Sequence, residues 1–440
     1  MAHAALLAAV PPFTPHSRTG SVRLTRQTGG HFVSDFPYSH ARRALLASLV
    51  CVGMGFTVLF PILAPLGREI GLSEIQITAI IGASSLTVFL ASSRWGRQSD
   101  RWGRKRVMLI GLFGFSAGTF LFNSVLYAGL SGWLVGWGLF AALVAARMTH
   151  AALMAAAMPA ANAYMADISD PANRTRAMGA AGAANNIGSI LGPGVAALAF
   201  ISLLTPLWVM AAVAFLNGLF VWRYLPEPPK QPAPAAGQRA PGRMRYGDPR
   251  ILPFIIVGVL MFTGTALVQQ TMGFRFQDVL QLDAAETARQ FGFAMMLSAV
   301  CSLISQLVIV QRLSLAPFTL LRLAMPLLIV AFSLMALSES QLALTIGMMI
   351  MGLGMGLAGP GFSAGASLAV SREEQGAVAG IAGSCGPLGF TIGPLLGGVL
   401  YQLNPALPYA CAALVYLGLF AAMGRIGKRV HVHRPGAHGE

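Results

Sequence analysis

Apolar runs separated by short polar stretches organise this chain from residue 44 to residue 424. A run of about 18 or more residues with few charges marks a spanning helix, because about 20 residues rising 1.5 Å each cross a hydrocarbon core about 30 Å thick. The pattern predicts twelve such helices, over 44–66, 78–95, 107–128, 133–160, 177–203, 206–223, 251–272, 290–311, 317–338, 342–369, 377–401 and 406–424. Between the sixth and seventh lies LPEPPKQPAPAAGQRAPGRMRYGDPR, too broken by Pro for a helix and too polar for a bilayer. The expected organisation is a disordered cytoplasmic tail over 1–43, a six-helix bundle over 44–224, a cytoplasmic linker over 225–250, a second bundle over 251–424, and a cytoplasmic tail over 425–440.

The two halves echo each other. Gly179, Gly188, Gly192 and Pro193 in predicted helix 5 recur as Gly380, Gly389, Gly393 and Pro394 in predicted helix 11, each 201 residues later, and Pro159 and Pro360 share that offset. Internal duplication of this kind is a common build of secondary transporters. Small residues four apart let helix backbones approach closely in lipid, and Pro removes one backbone donor and bends its helix.

Composition agrees. The chain of 440 residues is 55% hydrophobic and 10% charged, against about 45 to 50% apolar and about 25% charged in soluble domains. A net charge of +15 raises the question of nucleic acid, and the placement of the charges answers it. With a cytoplasmic amino terminus, every Lys and Arg falls on the cytoplasmic side except Arg68, Arg275, Arg289 and Arg147, the last of which lies inside a helix. That asymmetry is the positive-inside bias, so the partner is a lipid bilayer and not nucleic acid. Both termini are placed in the cytoplasm and the protein in the inner membrane. Cys51, Cys301, Cys385 and Cys411 sit in predicted helices without CxxC spacing and read as packing residues, implying neither disulfide nor zinc. The early run AHAALLAAV has no basic residues before it, so a cleaved signal peptide fits poorly.

Candidate chemistry is sparse. Arg147 near the middle of a spanning helix costs about 2.5 to 3.5 kcal/mol on insertion scales, so it is expected to face a wet cavity or a partner. His150, three residues on, shares its helix face and is either a titrating group or a bonded packing group. A carboxylate at membrane depth is a natural proton carrier, since desolvation raises its pKa. Here all fifteen acids fall in tails, loops or helix ends, which leaves Asp167, His150 or another scheme to carry a proton. A cavity holding Arg147 without a buried acid suits a neutral or anionic substrate. Paired polar residues in apolar helices, Asn185 with Asn186 and Gln269 with Gln270, are further substrate candidates. Thr57, Thr263, Thr265 and Gln306, and the aromatic residues Phe56, Phe60 and Phe274, carry weaker signals, since such groups more often bond or pack against neighbouring helices. No G-x-x-x-x-G-K-[ST] phosphate loop occurs, so no ATPase domain is expected and an ion gradient supplies the energy. No catalytic constellation, no metal site and no cofactor is expected. The remote reading, a polytopic membrane enzyme, lacks converging bases or ligands at membrane depth.

The most specific motif is GRQSDRWGRKR at 96–106. It resembles the G-x-L-a-D-R-x-G-R-[RK] loop of the major facilitator superfamily, with Gly96, Asp100, Arg101, Gly103, Arg104 and Lys105 in register and Gln98 where Leu is usual. The resemblance covers roughly residues 44–424 and is strongest to the twelve-helix drug/proton antiporter branch. It implies an all-α membrane protein of twelve transmembrane helices in two pseudo-symmetric six-helix bundles. It also implies a gating loop in which Asp100, Arg101 and Arg104 latch the two halves at the cytoplasmic face. The helix 5 pattern resembles G-x8-G-x3-G-P-x2-G-G, an antiporter-associated motif, with Ala196 and Ala197 in place of the last two glycines. The helix 11 copy is complete through Gly397 and Gly398. Arg147 matches the Arg of an R-x-x-Q-G pattern, with His150 and Ala151 where Gln and Gly are common.

The expected function is therefore secondary export of a small molecule, drug-like or a neutral or anionic metabolite, by alternating access in exchange for protons, with a single chain as the working unit. The alternatives are an exporter dedicated to a carboxylate metabolite such as a siderophore, or a proton symporter taking up an organic anion.

Overall fold

A computed structural model describes residues 36–169, 173–227, 244, 246–313, 315–371 and 374–432. The expectations for the tails and the linker fall largely on 1–35, 228–243 and 433–440, outside the described residues. Eleven helices are long and apolar enough to cross a membrane: α1 (Ala41–Glu69), α2 (Glu74–Trp102), α3 (Arg104–Leu130), α4 (Gly136–Asp167), α5 (Arg176–Phe200), α6 (Thr205–Tyr224), α7 (Leu252–Leu280), α8 (Ala284–Leu313), α9 (Pro317–Leu337), α10 (Gln341–Leu368) and α11 (Ala377–Leu403). A twelfth, α12 (Leu407–Val432), is apolar over its first part, Leu407–Met423. No strand occurs among the described residues.

The halves share one packing plan. In the first, α1 packs on α5 and α6, α3 on α4 and α6, and α2 on α4; in the second, α7 packs on α11 and α12, α9 on α10 and α12, and α8 on α10. The duplication seen in the glycines is thus a duplication of architecture. Those glycines sit where backbones meet. A Cβ on Gly188 would collide with the carbonyl oxygen of Val50, and one on Gly192 with Met54 and Thr57, all on α1. On Gly389 it would lie 2.5 Å from Phe262 Cβ, and on Gly393 2.6 Å from the Thr263 carbonyl oxygen, both on α7. Polar ties add to the contacts: Ser48 donates to Asn217 at 2.9 Å between α1 and α6, and the Tyr416 hydroxyl reaches the Met261 carbonyl at 2.7 Å between α12 and α7.

Proline accounts for two interruptions. α1 breaks at Val58, between Phe36–Thr57 and Leu59–Glu69, and α4 breaks between Met154 and Ala157. Pro61 and Pro159 lie four residues past Thr57 and Ala155 and cannot donate to those carbonyls. α8 contains a π turn over Ser305–Val310, where the Ser305 hydroxyl donates to the Leu353 carbonyl of α10 at 3.1 Å.

The charged stretch at 96–106, expected as a loop, is almost wholly helical. α2 runs to Trp102 and α3 begins at Arg104, leaving Gly103 alone as the turn. The apolar pattern stops near residue 95 because these last turns are built from charged residues, not because the helix ends there.

Between the halves, α2 packs on α11 and α5 on α8, with α1 touching α7 and α8. These two seams are counterparts of one another under the duplication.

Candidate functional site

The end of the bundle that carries the α2–α3 turn is called here the basic face, and the other end the opposite face. The tightest contacts along the seams gather toward the opposite face. Gly82 of α2 meets the Thr391 carbonyl, Gly398 of α11 meets Thr78 and Glu74, and Gly292 of α8 meets the Pro193 carbonyl at 2.7 Å from its would-be Cβ. Toward the basic face the same helix sides are open. Gly380 lies about three turns from Thr391 and so on the same side of α11, yet nothing would stand within 4 Å of its Cβ. Gly179 lies about four turns from Gly194, which meets Met296 of α8 at 3.4 Å, and it too has open space. Asn186, two turns along from Gly179 on that side, is exposed. The two halves therefore part along α5 and α11 and enclose a cleft that opens at the basic face.

Where the cleft ends, Phe60 of α1 and Phe390 of α11 face each other with ring centroids 6.4 Å apart. Gln269 shares a side of α7 with Gly273, whose would-be Cβ lies 2.8 Å from Ala64 of α1. Gln270 is 8% exposed, and its amide Nε2 has no partner. Asn185, by contrast, packs its backbone against Gly53 of α1. Thr57 bonds back to the Gly53 carbonyl at 3.3 Å, Thr265 to Tyr416 at 2.8 Å, and Gln306 to Ser302 at 3.3 Å, so these three serve the packing. The Thr263 hydroxyl is buried without a partner.

An ionic cluster closes the opposite face. Arg68, near the end of α1, donates to Glu74 at 2.8 Å and to both oxygens of Asp278 on α7, at 2.5 and 3.0 Å. The Tyr401 hydroxyl of α11 donates to Asp278 at 2.7 Å, and Gln402 donates to Glu74 at 3.1 Å. The guanidinium lies 4.8 Å from the ring centre of Phe274, which is fully buried here and is not a cleft wall. Four helices from both halves are tied by this one cluster. Sequence reasoning missed it, although part of the signal was present: Arg68 is one of the few cations on its side, while Asp278 lies past residue 272, where predicted helix 7 was ended, and so read as loop.

The gating-loop residues take a different role from a bridge between halves. Arg104 pairs with Asp100 at 2.5 Å and with Asp167 of α4 at 2.9 Å, and it donates to Ser99 at 2.7 Å. All of these lie in the first half, so in this conformation the stretch clamps α2, α3 and α4 together. Arg101 is exposed, and nothing would stand within 4 Å of a Cβ on Gly96. The Lys105 amide donates to Glu227 at 3.3 Å. Gly103 has φ +99, and its would-be Cβ lies 2.5 Å from Glu227 Oε1. Gly103→Ala is therefore expected to cost about 1 to 3 kcal/mol, read as a lowered thermal midpoint of the purified protein, whereas Gly96→Ala, inside α2 with open space at its Cβ, should not lower the midpoint and should raise it slightly. Before α7, Arg250 pairs with Asp248 at 2.8 Å and Glu374 at 2.9 Å, and its hydrogen bonds hold both carboxyls below the usual carboxylate range.

Arg147 and His150 lie apart from the cleft. The side chains around them, including Val58 of α1, Phe115 and Thr119 of α3, and Leu207 and Met210 of α6, all belong to the first half. Of the two expectations for Arg147, a wet cavity or a partner, the contacts match the partner, His150, within the first half. The cause is helix phase: the face of α4 that carries residues 147 and 150 is the one turned to α3. Arg147 donates to His150 Nδ1, and His150 Nε2 stands 3.4 Å from the Thr119 hydroxyl. A guanidinium only donates, so Nδ1 is unprotonated and the ring is neutral, its proton on Nε2.

A profile of the family described as Major Facilitator Superfamily matches residues 45–385. Multidrug resistance protein 1 of Bacillus subtilis is 26% identical over 382 residues, covering 84% of this chain and 92% of that protein. Multidrug resistance protein 2 of the same organism is 25% identical over 391 residues, covering 85% and 92%. Among solved structures, a bacterial homolog of the human lysosomal transporter Spinster superposes with a TM-score of 0.65 at 16% identity, covering 91% of this chain and 96% of that one.

Proposed function

Because the chain belongs to the Major Facilitator Superfamily, and is thus a multi-pass membrane transporter and not an enzyme, we propose that it exports drug-like small molecules across the inner membrane by alternating access, in exchange for protons. The observation that carries this reading is the asymmetry of the bundle: an ionic cluster ties both halves at the opposite face, while α5 and α11 leave a cleft open at the basic face. With the basic face in the cytoplasm, as the placement of Lys and Arg favours, this is a cargo-loading conformation. Gln269, Gln270 and Asn186 supply polar contacts and Phe60 with Phe390 an apolar floor, a mixture suited to amphipathic compounds. Kinship with two multidrug resistance proteins over most of their length supports the substrate class. The preference for anions rested on Arg147 in the cleft and loses that support with its burial inside the first half.

The gating stretch fits the same cycle. Closing the basic face would bring the ends of α2 and α11 together, and Asp100, Arg101 and Arg104 are placed to exchange partners then. The glycine pairs Gly188/Gly192 and Gly389/Gly393 keep α5 on α1 and α11 on α7, so each half moves as one body.

The test is accumulation of a panel of labelled cationic, neutral and anionic compounds in cells with and without the protein, each with and without an uncoupler. Lower accumulation that the uncoupler abolishes is expected for at least one amphipathic compound. No difference across the panel, or a difference indifferent to the uncoupler, overturns proton-driven export. Neutral His150 does not store a coupling proton here, and glutamine can accept from Arg147 and donate to Thr119 in its place. His150→Gln is accordingly expected to retain at least half of the wild-type export rate; its loss would return His150 to the coupling path.

A further inference from the structure

Arg147 is an isolated buried cation. It is 9% exposed, its Nε has no partner, and no carboxylate among the described residues pairs with it. Its contacts are His150, which is neutral, and the face of Phe122 at 5.7 Å. A ring face and a neutral acceptor offset little of the cost of holding a full charge away from water.

A cavity of about 10 Å³ lies beside it, lined by Arg147, His150, Thr119, Phe115, Phe122 and Gly55. That is room for the centre of one water-sized ligand and no more. The hydrogen-bond directions around it are fixed by the chemistry already described. Arg147 donates to Nδ1, so Nε2–H points at the Thr119 oxygen, and the Thr119 proton is left free to turn elsewhere. Arg147, whose Nε has no partner, and Thr119 thus both line the cavity, with an aromatic and aliphatic lining around the rest. Two donors and a net positive charge call for an acceptor that is also negative. A water would satisfy a donor and leave the charge; a carboxylate or phosphate is too large.

We propose that the cavity between α1, α3, α4 and α6 binds one monoatomic anion, a halide such as chloride, held by Arg147 Nε and the Thr119 hydroxyl. The ion offsets the buried charge of Arg147 and stiffens the packing of α4 on α3. It is a resident of the half and not cargo, since every side chain lining the cavity belongs to the first half. The site is independent of the export reading.

The experiment uses the full-length protein in lipid nanodiscs. Equilibrium binding of ³⁶Cl⁻ is expected to show one saturable site per chain, competed by bromide and not by gluconate. Thermal midpoints at fixed pH and ionic strength should rise when gluconate is replaced by chloride. Arg147→Gln should abolish both responses, and Thr119→Val should weaken chloride binding about tenfold, the effect of one hydrogen bond to a charged group. Arg68→Gln, a charge change far from the cavity, should keep both. No saturable chloride binding by the wild-type protein overturns the proposal whether or not the variants fold, as does binding that Thr119→Val leaves untouched. Failure here would leave uncoupler-sensitive export unaffected.

Discussion

Asp278→Asn is expected to release the opposite face. The substitution keeps the shape of the side chain and removes the charge that Arg68 grips through two oxygens. Arg68 and Asp278 side chains are 22% and 37% exposed, so solvent screens the pair and its worth falls well short of a buried bridge. An allowance of about 1 to 2 kcal/mol for the pair with its Tyr401 and Glu74 partners shifts the balance between conformers by about tenfold. Spin labels near the ends of α1 and α7 should then show a longer-distance population absent from the wild type. Arg68→Asp alone should do the same, and Arg68→Asp with Asp278→Arg should restore the short distance. An unchanged distance distribution in Asp278→Asn would mean that apolar contacts alone, such as Gly398 on Thr78, keep this face shut.

The second large effect belongs to the α7–α11 seam. Gly389→Leu should abolish transport, because its Cβ alone would lie 2.5 Å from Phe262 Cβ and 2.7 Å from the Thr263 amide nitrogen, and backbone cannot move aside as a side-chain tip can. Overpacking costs about 1 to 3 kcal/mol where neighbours yield, and more where they do not. Gly380→Leu, about two and a half turns away on an open side of the same helix, is the matched control and should fold normally. Size-exclusion profiles and efflux rates of the two variants, measured together, separate a seam defect from a general intolerance of leucine. Equal behaviour would remove the distinction drawn between packed and open glycines.

The helices, their number and the division into halves were legible because a bilayer imposes one period and one length on every spanning segment. The glycine repeat was legible for a related reason, since close backbone contact in lipid leaves few residues to choose from. The ends of helices were less so: α2 extends to Trp102 through a run of charges that hydropathy cannot separate from loop. The orientation of Arg147 was not legible at all. Spacing puts Arg147 and His150 on one face of α4, but which neighbour that face meets depends on the rotation of α4 within the half. The ionic cluster of Arg68, Glu74, Asp278 and Tyr401 was hidden in another way. Its members come from four helices spread over more than 300 residues, and only the meeting of the halves collects them.

The same cluster is partly wetted, and that gives the transporter a dependence on the medium bathing its far side. At physiological ionic strength the screening length is about 8 Å, and in a brine of about 1 M it shrinks to about 3 Å, the length of the bridges themselves. Concentrated salt on that side alone should therefore shorten the dwell of the conformation closed there, so that ionic strength, and not cargo alone, sets the tempo of turnover.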